Sequence, residues 1–239
     1  MSPREKMSAF ASAGREAMAF ARQAWLLRHD LDEPLLPKGV EAGDDVVVFL
    51  HGLFATAGVL RPLRAAVCRH EGMHPATMTY FPGPGIEELA GRLGAMIDAI
   101  PKNVWIHLVG HSLGGIVTRF YAQEASDPRI VQTISMASPF AGVARAGRFP
   151  IDAARDLDQG SPILRRILLR DSEAGVPHLS IIAGADTLVK SPVSHALPGG
   201  EVALMKGRGH NALLFDEEVA RLVERRIVDH RTKRGVPGG

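Results

Sequence analysis

The chain has 239 residues, 46% of them hydrophobic and 23% charged, with a formal net charge of +2 and 5% aromatic content. That length supports one domain with a sizeable core, and the near-balanced charge with sparse aromatics excludes a nucleic-acid-binding surface. A single cysteine, Cys68, excludes an intrachain disulfide and a thiolate metal cluster and suits a reducing compartment.

In residues 5–28, Phe10, Ala13, Ala17, Ala21, Ala24 and Trp25 recur at helical spacing with charges between them. Arg15, Glu16, Arg22 and Arg28 break the apolar run that a secretory signal needs. No window approaches the roughly 18 uninterrupted apolar residues of a spanning helix. The expectation is a cytoplasmic protein whose residues 1–44 form a helix and linker. Three readings of that helix stay open: docked on the domain, in peripheral contact with a membrane, or an arm for a partner. "DEPLLPKGVEAGDD" (32–45) has loop composition.

From Val46 onward, apolar strand candidates at 46–50, 76–80, 104–109, 130–137, 179–184 and 201–206 alternate with helix-like segments. Such alternation predicts an α/β fold, a mostly parallel central sheet with helices on both faces. Pro62 suits a first helical turn, 85–100 has an acidic start, and 216–230 closes the domain. The tail, 231–239, reads as frayed.

"GHSLG" (110–114) places a serine between an apolar strand and a helix, flanked by the glycines that a strand-turn-helix elbow needs. Its alternative role is a helix N-cap; the strand before it and the helix after it favour a nucleophile, Ser112. A serine hydroxyl needs a base, and His210 in "GRGHNALL" follows the last strand candidate. Asp186 in "GADTLV" follows the penultimate one and is the candidate acid. His111 is expected to point away from the site, and His29, His70, His74, His178, His195 and His230 are expected on the surface or in loops. Asp152, Asp156, Asp158 and Asp171 compete with Asp186 but lie in a helical-looking insertion. The oxyanion donors would be the Leu113 amide and, in "VVVFLHGLFATAG" (46–58), where the strand ends at His51-Gly52, the Leu53 amide, with Phe54 its neighbour.

With "HGLF", "GHSLGG", "ASPFAGV", "QGSPILRRI", "GADTLV" and "GRGHNALL" in place, the chain over residues 45–230 resembles the α/β-hydrolase superfamily, and within it compact bacterial lipases and esterases. The resemblance implies the α/β-hydrolase fold in a minimal six-stranded form, with a cap or lid at 140–178. It also implies a Ser112–His210–Asp186 triad acting on carboxylic esters of lipids or small molecules, with no metal and no cofactor. The alternatives are an acyltransferase or thioesterase with the same triad, or a catalytically silent binding protein. Within the cap, "SPILRRILLR" (161–170) puts Ile163, Leu164 and Ile167 on one side of a helix. These join Phe54 as candidate substrate contacts, with permanent packing on the sheet as the competing reading.

Overall fold

β1 (Asp45–Leu50) sends Val46, Val48 and Leu50 to one face of a sheet and Val47 and Phe49 to the other, all fully buried. Burial on both faces is the mark of an inner parallel strand. The remaining strands are β2 (Met73–Thr77), β3 (Trp105–His111), β4 (Ile130–Met136), β5 (His178–Ala183) and β6 (Glu201–Met205). All six are parallel, in the order β2-β1-β3-β4-β5-β6. This computed structural model describes residues 3–32, 34–170, 175–189 and 191–235; Asp171 and 236–239 lie outside them.

The helices are α1 (Pro3–Leu26), α2 (Arg61–Val67), α3 (Ile86–Asp98), α4 (Leu113–Glu124), α5 (Asp152–Asp156), α6 (Pro162–Arg170) and α7 (Glu217–Lys233). Apolar residues of α3, α4 and α6 pack with one sheet face, and those of α2 and α7 with the other. The connections have local causes. Pro62 lies in the first turn of α2 and Pro162 opens α6. The Asp216 carboxylate accepts the Glu218 and Val219 amides to cap α7.

Two expectations change. β2, predicted at 76–80, forms at Met73–Thr77, because an edge strand tolerates Pro75 and because Thr77 is engaged from outside. Thr77 exchanges two backbone hydrogen bonds with Leu35 of the linker, at 2.8 and 3.0 Å. Residues 78–80 then leave the sheet and carry Tyr80 to His51. The tail, predicted to fray from 231, instead continues α7 to Lys233. Asp45 is fully buried at the start of β1, and a buried carboxylate needs partners. It has Arg231 at 2.9 Å, His107 at 2.7 Å and also Arg234.

α1 and the turn after it are joined to the domain by polar contacts. The Thr56 hydroxyl bonds the Leu27 and His29 carbonyls, and Asp30 pairs with Arg61 and Arg64. A side chain at Gly58 would collide with the Leu26 and His29 carbonyls. The face of α1 turned to the domain carries Ser12, Glu16, Ala19 and Gln23, while Phe10, Ala13, Ala17, Ala21, Ala24 and Trp25, the predicted apolar stripe, are exposed.

Candidate active site

β3 ends at His111, α4 begins at Leu113, and Ser112 alone makes the turn between them, with φ 53° and ψ −120°. An L-residue there carries strain of about 1–3 kcal/mol, so the surroundings must hold it. The Ser112 amide donates to the Met136 carbonyl at 2.8 Å. The flanking glycines permit the crossing: a Cβ on Gly110 would strike the backbone of Gly114 and Gly115, and one on Gly114 the carbonyls of Leu50 and His51.

The loops after β5 and β6 bring Asp186 and His210 together, with His210 Nδ1 at 2.6 Å from Asp186 Oδ2. Asp186 Oδ1 accepts the Leu188 and Val189 amides at 2.8 and 2.9 Å. Burial would raise the Asp186 pKa, but the bond and charge of His210 and these two amides outweigh it and hold the carboxyl below its ordinary value. Asp186 is thereby kept ionised and fixed in orientation. Nδ1 of His210 being engaged by Asp186, Nε2 is its other ring nitrogen.

Two further histidines serve this pair. His195 is fully buried, contrary to the surface or loop position expected of it. The Ala183 amide lies 3.4 Å from its Nδ1, which makes Nδ1 the acceptor and Nε2 the protonated nitrogen; Nε2 is 3.5 Å from Asp186 Oδ2. His111, expected to point away, instead bonds the His210 carbonyl through Nε2 at 3.0 Å and meets the His210 ring edge-on at 4.9 Å. Burial, with the charge of His210, pushes its pKa down to about 3, so it stays neutral beside His210. His178 is buried among Thr133, Ser135 and Ser180, and His70 and His74 bond Glu224 and Asp44. His230 is half-buried, in edge contact with His107. These histidines are parts of the fold rather than loose surface groups.

Next to the elbow, the Tyr80 amide donates to His51 Nε2 at 3.1 Å, so Nδ1 carries the proton and donates to the Gly52 carbonyl at 2.8 Å. The Tyr80 ring stacks on His51 at 4.0 Å and its hydroxyl donates to the His51 carbonyl. Burial pushes the His51 pKa down to about 4. With the Gly52 carbonyl held toward His51, the planar peptide turns the Leu53 amide the opposite way. This turn abuts the elbow: a Cβ on Gly52 would lie 3.0 Å from Ser112 Cβ. Leu113 opens α4, where amides lack helical partners and the dipole favours an anion.

Gly52, Leu53, Phe54, Ser112 and His210 line one cavity of about 400 Å³. Its other walls are mainly apolar and come from Val143, Ala146, Phe149, Leu157 and Leu188, with Phe20 and Gln23 of α1 closing one side. Phe54 thus lines this cavity. Ile163, Leu164 and Ile167 do not: Leu164 and Ile167 are buried in the core and Ile163 packs against it, because the apolar side of α6 faces α4 and the sheet. The segment that reaches the cavity is 139–157. Asp152 pairs with Arg155, Asp156 accepts the Ile86 amide, and Asp158 accepts the Gly147 and Gly160 amides; Asp171 lies outside the described residues.

The contribution of α1 has no signal in the sequence around Ser112. The Glu16 carboxylate accepts the Asn211 amide at 2.9 Å, the Asn211 side chain at 3.1 Å and the Ala212 amide at 3.0 Å. It thus holds the two residues that follow His210. A Cβ on Gly209 would collide with this carboxylate.

The sequence matches no protein-family model and no curated protein. Solved structures do match the fold. The lipase BlEst2 of Bacillus licheniformis superposes with a TM-score of 0.60 at 14% identity, over 82% of this chain and 96% of that one. An esterase of Pyrobaculum calidifontis gives 0.62 at 14% identity, over 95% and 93%. MenH of S. aureus gives 0.59 at 16% identity, over 84% and 98%. With six parallel strands, an elbow after β3 and loops converging at the strand C-terminal ends, the chain has the α/β-hydrolase fold in a minimal six-stranded form.

Proposed function

We propose that the protein is a serine hydrolase cleaving carboxylic esters with an apolar acyl group, lipid acyl esters among them. The observation that carries this reading is the convergence on one apolar cavity of a serine at positive φ and a histidine whose Nδ1 is bonded to a buried carboxylate. A silent binding protein has no need of a strained serine beside such a pair.

In this mechanism, Ser112 Oγ attacks the ester carbonyl as His210 Nε2 takes its proton. Asp186 keeps Nδ1 protonated and balances the imidazolium. The oxyanion is held by the Leu53 and Leu113 amides. His210 returns the proton to the alcohol oxygen as the ester C–O bond breaks. Water, deprotonated by His210, then releases the carboxylic acid and regenerates Ser112. Apart from Arg145, the walls contributed by the segment 139–157 are apolar and suit an alkyl chain.

A fluorophosphonate probe should label the wild-type protein and not Ser112→Ala, and p-nitrophenyl butyrate turnover should disappear in the same variant. A folded Ser112→Ala protein that still turns over the ester at the wild-type rate would refute the assignment.

A further inference from the structure

At 3.6 residues per turn, Met7, Met18 and Trp25 fall along the solvent side of α1, at 72%, 74% and 62% exposure. Phe10, Ala13, Ala17, Ala21 and Ala24 extend this strip round one flank, also exposed. The flank ends at Phe20, which is both exposed and part of the cavity wall. Phe54, Phe149 and Leu188 line the same cavity and are exposed in turn. One apolar surface therefore runs from the outer side of α1 to the cavity mouth.

Among the described residues, the exposed charges that α1 itself carries beside it are arginines; Asp216, which lies beside Arg15, Arg22 and Met18, is already paired with Arg208. Arg15, Arg22 and Arg28 are exposed; Arg15 also donates to the Gly207 carbonyl, the Arg22 guanidinium lies 4.9 Å from the centre of the Phe215 ring, and that of Arg28 lies 3.4 Å from the centre of the Trp25 ring. Glu16, the acid on α1 whose side chain is described, is turned inward to residues 211 and 212. The helix has docked by its polar side and, among the described residues, left its apolar side exposed, against the usual order in a soluble domain. No helix among the described residues is long and apolar enough to cross a membrane.

We propose that this face of α1 docks on an anionic lipid surface, its apolar strip entering the headgroup boundary and its arginines meeting lipid phosphates. Trp25 and Phe10 are side chains suited to that boundary. The anionic surface is favoured over a second copy of the chain, because two copies meeting through this face would bring their arginines together with no described acid on it to pair them. A bilayer lying along the strip would also meet the cavity mouth. The inference goes beyond ester hydrolysis and does not depend on it, since docking needs neither Ser112 nor turnover.

The test is cosedimentation of the full chain with vesicles of phosphatidylcholine alone and of equimolar phosphatidylcholine and phosphatidylglycerol. The wild-type protein and Ser112→Ala should both sediment with the anionic vesicles, and less so as salt is raised. F10S/M18S/W25S should lose at least about tenfold in partitioning, since each inserted apolar side chain contributes on the order of tenfold. Its melting temperature and soluble-ester turnover should stay at wild-type values. The proposal is overturned if the wild-type protein does not sediment with anionic vesicles, or if the triple variant sediments equally well. It is also overturned if sedimentation equilibrium finds a dimer that the triple variant dissociates, which would make a second copy the occupant.

Discussion

Asp186→Asn tests the acid with a change whose geometry the surroundings dictate. Oδ1 accepts two backbone amides, from Leu188 and Val189, so the asparagine oxygen must occupy that position. The flipped rotamer would set an NH₂ group against two N–H donors, each mismatch costing about 1–3 kcal/mol. The amide nitrogen is thus forced to the Oδ2 position, 2.6 Å from His210 Nδ1, where it donates. His210 must then accept at Nδ1 and carry its proton on Nε2, the tautomer that cannot take a proton from Ser112. Restoring the working tautomer sets donor against donor at about 1–3 kcal/mol, and the loss of a charge-assisted bond to the imidazolium adds about 1.5–3 kcal/mol. At about 1.4 kcal/mol per tenfold, the sum corresponds to a loss on the order of 10²–10⁴ in kcat; the corresponding change in an unrelated serine hydrolase costs about 10⁴. Steady-state kinetics on p-nitrophenyl butyrate should show the loss mainly in kcat. Asp152→Asn and Asp158→Asn, whose carboxylates are occupied by Arg155 and by the Gly147 and Gly160 amides, should stay within about threefold of wild type, surface effects of about 0.5 kcal/mol being usual. If Asp186→Asn keeps a kcat within about tenfold of wild type, less than the smallest of these costs together allows, the acid is misassigned.

Glu16→Gln replaces one acceptor of the clamp on residues 211–212 with a donor, and a bond to a charged group contributes about 1.5–3 kcal/mol. kcat should therefore fall about tenfold, with the rate of fluorophosphonate labelling falling in parallel; a wild-type kcat would show that His210 is positioned without α1. Acid stability follows from the carboxylates. For Asp30, Asp44, Asp216 and Glu224, burial would raise the pKa, but bonds and charges from arginine, histidine or backbone amides outweigh it and leave each below its ordinary value. A carboxylate with a depressed folded pKa contributes stability that is complete above its unfolded pKa and lost as pH falls through the folded one. Melting temperature should thus hold near neutrality and decline once pH drops below about 4; a melting temperature that rises in that range would contradict these pairings.

What could be read in the sequence was what the chain settles locally. Ser112 was legible because the two glycines, the strand and the helix lie within one short stretch, and the crossing that forbids a Cβ at Gly110 is made by those same residues, while the one at Gly114 is closed by the end of β1. Alternating strands and helices gave the parallel sheet, and the order of strand ends gave the addresses of Asp186 and His210. His111 was misread because its partner, the His210 carbonyl, is distant in sequence and strand alternation says nothing of a residue at the last position before an elbow; His195 was misread because nothing in the composition of its loop shows that the loop folds back onto Ala183 and Asp186. α6 shows a different limit. Its apolar side was visible, yet two apolar surfaces lay within reach, the core and the cavity, and periodicity does not choose between them.

α1 carries that limit further, because there the chosen face is the one with less apolar area. The pattern Phe10, Ala13, Ala17, Ala21, Ala24 marks the side that burial should favour, at roughly 25 cal/mol per Å². What holds the other side down is a small set of directed bonds: Glu16 to residues 211 and 212, Arg15 to the Gly207 carbonyl at 2.6 Å, and Thr56 to the carbonyls that follow the helix. The donors that meet Glu16 include backbone amides in a turn beside His210, where an unpaired N–H would itself cost about 1–3 kcal/mol. The turn that carries the histidine has donors without acceptors of its own, and the helix brings the acceptor. The apolar face is left outward because the polar one is already committed to the His210 loop, so the same contact that supports His210 also sets the exposed apolar surface beside the cavity mouth.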